Sequence, residues 1–155
     1  MENSTQLANR FKEVLLNGKW ISNNNFKMLL EDLPWEKATQ KVGSLNTIAA
    51  LAYHVNYYVA GVLNVFEGGN LEIRDKYSFD LKNLENPTDW KNFLNSMWSN
   101  AEKFANHVER MTEEQLGQPF VDEKYGTYRR NIEGMIEHCY YHLGQVSLLL
   151  KLMAK

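Results

Sequence analysis

Between Ile48 and Phe66 the chain sets Ile48, Leu51, Val55, Val59, Val62 and Phe66 three or four residues apart. That spacing gathers them on one face of an α-helix. Three further segments follow the same rule. Residues 5–16 align Leu7, Phe11, Val14 and Leu15. A third segment from Thr88 aligns Trp90, Phe93, Leu94, Met97, Ala101, Phe104 and Val108, and a fourth, running almost to Lys155, aligns Ile132, Ile136, Cys139, Leu143, Val146 and Leu150. No set of segments alternates at period two, so a β-rich fold is not expected. Four helices of roughly 16–26 residues span about 25–40 Å at 1.5 Å per residue, the size of an antiparallel bundle.

Local signals mark the ends of these segments. Asn17-Gly18 stops the first, and a shorter helical piece with Phe26, Leu29 and Leu30 runs into Pro34. Ser44 is expected to cap the second segment, Thr88 the third and Thr127 the fourth, while Thr112 with Gln115 forms a capping-box pattern. Gly68-Gly69 ends the second segment. Residues 69–87 are polar, are broken by Pro87, and are expected to hold at most a short extended piece.

With 155 residues and no low-complexity tract, the chain reads as one domain over residues 1–155. Seventeen basic and nineteen acidic residues leave a formal charge of −2, which offers no electrostatic ground for a nucleic-acid or anionic-membrane partner. The single basic cluster, "KYGTYRR" at residues 124–130, reads as a solvated loop, with a substrate or anion contact as the other reading. The start has no signal-peptide pattern, and His54, Asn56 and Asn64 interrupt the most apolar stretch, which therefore reads as a core helix. One cysteine, Cys139, excludes an intrachain disulfide and suits a reducing compartment. The expectation is a soluble, cytoplasmic protein.

The candidate chemistry lies in "MIEHCYYHLGQVSLLL", where His138 and His142 stand four apart on the fourth segment. On a helical wheel both fall about 80–120° from the centre of the apolar stripe. His54 occupies the matching shoulder of the second segment, flanked by small Ala50 and Gly61, which would leave room beside it. If the two helices pack side by side, three imidazoles converge at the edge of the interior. Three neutral imidazoles suit a first-row divalent ion and leave a coordination position open for water or substrate. The competing reading is that the shoulder histidines only hydrogen-bond carbonyls.

Gln145, one turn beyond His142, is placed to orient a ring or a bound molecule, and Tyr58 is the tyrosine expected nearest the site; neither has an assigned catalytic role. No carboxylate is expected beside the ligands. Glu137 points away and there is no H-E-x-x-H, so proton transfer would fall to the ion's own water, a tyrosine or the substrate. His107 reads as surface or structural, Cys139 as an inert core thiol, and the four tryptophans, Trp20, Trp35, Trp90 and Trp98, as packing anchors.

A histidine midway along "IAALAYHVNYYVAGVL", the ending "EHCYYHLGQVSLL", and the connecting pieces "DLPWEKA" and "MTEEQL" together resemble the DinB/YfiT-like superfamily of metalloproteins, over nearly the whole chain. The resemblance implies an all-α, up-down-down-up four-helix bundle with short connecting helices. It implies that His54, His138 and His142 bind nickel, zinc or a related divalent ion, and that the chain forms a homodimer through bundle helices. The activities it implies are those of metal-dependent thiol S-transferases and isomerases that use a low-molecular-weight thiol. The expectation drawn from residues and resemblance together is a metal-dependent thiol S-transferase or hydrolase acting on a small molecule. The alternative is a non-catalytic metal-binding or stress-response dimer, and a helical interaction module without metal stands third.

Overall fold

The computed structural model describes residues 1–82 and 84–154. Helix α1, Ser4–Lys12, opens on an Asn3/Gln6 capping box and widens into one π-helical turn, Glu13–Asn17. Two short helices follow, α2 (Phe26–Leu30) and α3 (Trp35–Ala38). The long helices α4 (Ile48–Phe66) and α5 (Pro87–Glu109) come next, then the short α6 (Glu113–Gly117) and the long α7 (Tyr128–Met153). Among the described residues there is no strand, only a lone bridge between Pro119 and Thr127 that closes the loop before α7.

Two of the expected caps shift. Helix α4 starts from Thr47 rather than Ser44: Gly43, at φ +55°, spends the preceding residues in a turn, and the Ala50 amide donates to Thr47 Oγ1 at 3.1 Å. Helix α5 starts from Asn86, whose Oδ1 accepts from the Asp89 amide at 2.9 Å, with Pro87 at the first helical position, where its missing N–H is not needed. Thr88 therefore lies inside the first turn. Thr112 and Thr127 cap α6 and α7 as expected.

Helices α1, α4, α5 and α7 share one hydrophobic cluster. α1 packs on α5 and α7, and α4 packs on α5 and α7, so each stripe meets two others. Phe11 of α1 stacks on Phe104 of α5 at 4.2 Å between centroids, and Phe66 of α4 lies 5.0 Å from the same ring. Near the opposite end, Tyr53 of α4 stacks on Phe93 of α5 at 6.3 Å. Phe104 is fully buried where these rings meet, and truncating it would cost about 3–5 kcal/mol. Helix α4 is long and apolar enough to cross a membrane by length and composition, but most of it is buried against its neighbours.

Three of the tryptophans pack as anchors: Trp90 donates its indole N–H to the Leu33 carbonyl at 2.9 Å and faces Trp35, and Trp98 is buried. Trp20 does not. It is 87% exposed, because the turn after Gly18 carries it away from the bundle.

Residues 69–82 form a strap across α4 that contains no strand, though Arg74 within it has extended backbone; residue 83, in the polar stretch 69–87, and Lys155 lie outside the described residues. No neighbouring strand pairs with the strap, so its backbone is held by side chains instead. The Arg74 amide donates to Tyr57 Oη at 2.8 Å, and that hydroxyl lies 3.1 Å from the Arg74 carbonyl. A 3-10 turn, Asp75–Tyr77, then directs the strap over the start of α4.

Candidate metal centre

Helix periodicity brings His138 and His142 to one side of α7, and the packing of α4 against α7 supplies His54. The Nε2 atoms of His54 and His142 each lie 3.1 Å from His138 Nε2, so the three rings point one nitrogen at a common centre. Three nitrogens held ~2.0–2.1 Å from one ion in a tetrahedral array stand about 3.3 Å apart. His54 and His142 are buried, at 8% and 6% exposure, and His138 is half-buried. The expected convergence is present.

The hydrogen bonding around the rings fits a cation. Gln145 Oε1 lies 2.7 Å from His142 Nδ1 and has only an acceptor to offer, so that nitrogen carries the proton and Nε2 presents a lone pair inward. His138 Nε2 faces two nitrogens but can donate at most one proton. With His142 Nε2 unprotonated, a single proton satisfies at most one of the two 3.1 Å contacts, whereas a central cation would engage all three nitrogens. His54 Nδ1 is buried with no hydrogen-bond partner; the Ser78 backbone beside it exerts only a weak pull toward the protonated ring. Burial, followed by the neighbouring His142 and His54 rings, pushes His138 down to about 4. Burial also lowers His54, with His142 adding to the effect, and lowers His142 against the opposing hydrogen bond of Gln145. All three rings are therefore neutral near pH 7, the state in which imidazole serves as a ligand.

Aromatic rings close the cluster. Phe79, carried by the strap, stacks on His54 at 4.0 Å and 11°. Tyr58 stands edge-on to His54 at 5.1 Å and to His138 at 5.2 Å, and Tyr141 stands edge-on to His142 at 4.9 Å. The room that the small Gly61 was expected to leave is filled: a Cβ there would sit 2.2 Å from Ile73 Cγ2, so glycine is what lets the strap lie on α4.

One expectation is corrected here. A carboxylate does stand close by: Tyr58 donates its hydroxyl to Asp75 Oδ1 at 2.7 Å. Asp75 belongs to the strap, whose course no local periodicity announces. Nothing in the sequence pairs it with Tyr58, seventeen residues back. Glu137 does point away, and holds Arg130 at 3.1 Å on the surface. His107 takes no part in the cluster and rests half-buried, 6.3 Å from the Phe66 ring. Cys139 is fully buried, and burial drives its thiol pKa well above the usual range.

A cavity of about 660 Å³ opens beside the cluster, with Tyr58, Asp75 and His138 at its edge. That volume suits a small-molecule ligand. The basic loop divides between its two readings: Tyr125 and Arg130 line the cavity, while Lys124 pairs with Asp122 and Arg129 with Glu113.

A helical chain with three inward histidines on two packed helices defines a class of metal-site scaffold, and the sequence profile of the DinB superfamily matches residues 22–146. The chain belongs to the DinB superfamily. No curated protein and no solved structure gives a significant match to it.

Proposed function

We propose that this protein is a metal-dependent enzyme that holds one divalent cation, nickel or zinc, through His54, His138 and His142. It acts on a small molecule as a thiol S-transferase or a hydrolase. The observation that carries this reading is the meeting of three Nε2 atoms from residues up to 88 apart in sequence, with nothing but one another to bond to at that point. A bound ion of this kind supplies Lewis acidity and lowers the pKa of a thiol or water that it touches.

The chain's own groups contribute positioning and proton transfer. Gln145 fixes the tautomer of His142, and Phe79 screens His54 from solvent. Tyr58 Oη can accept a proton from a ligand in the cavity while its own proton passes to Asp75 Oδ1, 2.7 Å away. This relay removes one argument for a thiol, since a proton acceptor is present for hydrolysis too. A low-molecular-weight thiol remains the cofactor that the family's activities favour.

The finer architecture belongs to the same proposal: one domain over residues 1–155, with the long helices running up-down-down-up. Tyr53 on Phe93 and Phe66 on Phe104 support a parallel α4 and α5, joined by the strap, and a Ser4 hydroxyl bond to the Glu109 carbonyl supports an antiparallel α1 and α5. A cytoplasmic setting accords with the single buried thiol.

The second reading is a non-catalytic metal-binding or stress-response dimer that keeps the same triad. Tyr141, Leu148 and Leu152 are exposed along the outer face of α7, a stripe suited to a second copy of the chain in either reading.

Metal analysis of protein purified without a histidine tag tests the core of the proposal. One equivalent is expected in the native protein and far less in His142→Ala. Full occupancy in that variant would remove the site. Turnover of a thiol-plus-electrophile or ester panel that chelator abolishes without unfolding the chain favours the enzyme. Unfolding by chelator with no turnover on any substrate favours the second reading.

A further inference from the structure

The cavity beside the triad has walls of different character. Along α7 it is lined by Arg130, Asn131, Gly134, Met135 and His138, positions that recur on one face of a helix. Arg130 and His138 are two turns apart, about 12 Å along the axis. Gly134, between them, carries no side chain, and a Cβ there would meet nothing within 4 Å, so the floor stays open from one end to the other. Facing it, Val62 of α4 and Leu71 and Ile73 of the strap give an apolar middle, and Arg74 adds a second guanidinium.

The charges in this space are unequally satisfied. Asp75, the one acid on the lining, is engaged by the Tyr58 hydroxyl. Arg130 commits only Nη1 to the Glu137 carboxylate, at 3.1 and 3.3 Å, which leaves Nη2 and Nε without a protein partner among the described residues. The Arg74 guanidinium has no ion pair among the described residues, although Tyr57 pins its backbone from both sides. Arg74 thus joins a fixed backbone on the cavity lining to a side chain with no ion pair among the described residues, a combination suited to contact with an anion.

We infer that this cavity binds an organic acid, a carboxylate or a phosphate ester with an apolar body, whose anionic group is held by Arg74 and Arg130 while the rest of the molecule reaches toward His138. The assignment names the substrate class of the proposed enzyme and rests on the triad being its reactive centre, but anion binding by the arginines does not itself require a metal. Asn131 at the same wall spends its two amide N–H groups on the Tyr125 and Thr127 carbonyls at 2.8 Å, so it secures the loop before α7 and leaves the acid to the arginines. The apolar middle selects against small inorganic anions, which would fill only the charged end.

Isothermal titration of the full chain with 4-phenylbutyrate, phenyl phosphate and the neutral 4-phenylbutanol separates the possibilities. Saturable binding of at least one acid is expected, with the alcohol at least about tenfold weaker. Arg74→Gln and Arg130→Gln should each weaken the acid by about ten- to a hundredfold, the range for a lost hydrogen bond to a charged group. Both side chains are on the surface, so neither change threatens the fold. Comparing carboxylate with phosphate tells which acid group the arginines prefer. The His142→Ala protein should bind the acid as the native protein does, which keeps this test apart from that of the metal. Equal affinity for acid and alcohol, no effect in either arginine variant, or loss of acid binding in His142→Ala alone would overturn the assignment, as would an absence of binding by both acids.

Discussion

His138 carries the largest electrostatic load of the three imidazoles. It is half-buried and looks onto two other rings, and its pKa falls from the ordinary 6.5 to about 4. In metal-free protein the unfolded chain is then the better proton acceptor between those two values. The sign follows: stability is intact above about pH 6.5, falls as pH drops toward 4, and gains no further loss from this group below that. Urea midpoints of chelated protein across this window should fall with acidity, and less steeply in His138→Asn; a flat profile would contradict the burial of the neutral ring. Cys139 makes the opposite case. With its thiol pushed up and buried, it should resist alkylation in the native protein and react once urea unfolds it. Rapid native labelling would mean that α7 is open there. All three histidines were legible in the sequence, because 100° per residue fixes which side of a helix a residue takes. The unpartnered His54 Nδ1 and the role of Asp75 were not, since both depend on where another segment lies.

Among the elements, the strap illustrates why. Helices announce themselves by period and cap, and the small errors at Ser44 and Thr88 arose where several capping residues stand close together. The deciding factor was which of them holds an extended backbone: Thr47 and Asn86 do. The strap has no period to read, and its position is set by Gly61 on a different element. Gly61→Val should therefore act at a distance. A side chain there must displace Ile73, and with it Phe79 from His54 and Asp75 from Tyr58. Expected are a loss of about 1–3 kcal/mol and faster proteolysis within residues 69–82, with the helical circular dichroism kept. An unchanged cleavage rate would show that the strap is anchored elsewhere.

The whole molecule presents two kinds of surface. Its core stripes are mostly buried by neighbouring helices, whereas Tyr141, Leu148 and Leu152 form a second stripe on α7 that no described residue covers. Sedimentation should find a dimer for the native protein and a monomer for Leu148→Glu, with metal content unaffected; a native monomer would leave that stripe to some other use. The other surface is the way into the triad. Phe79 blocks the cluster on the strap side, and His54 and His142 are nearly sealed, so His138 is the ring that meets the cavity. Under the proposed function an ion would have to reach the triad past His138, and a molecule lodged in the cavity afterwards would close the ion's way out.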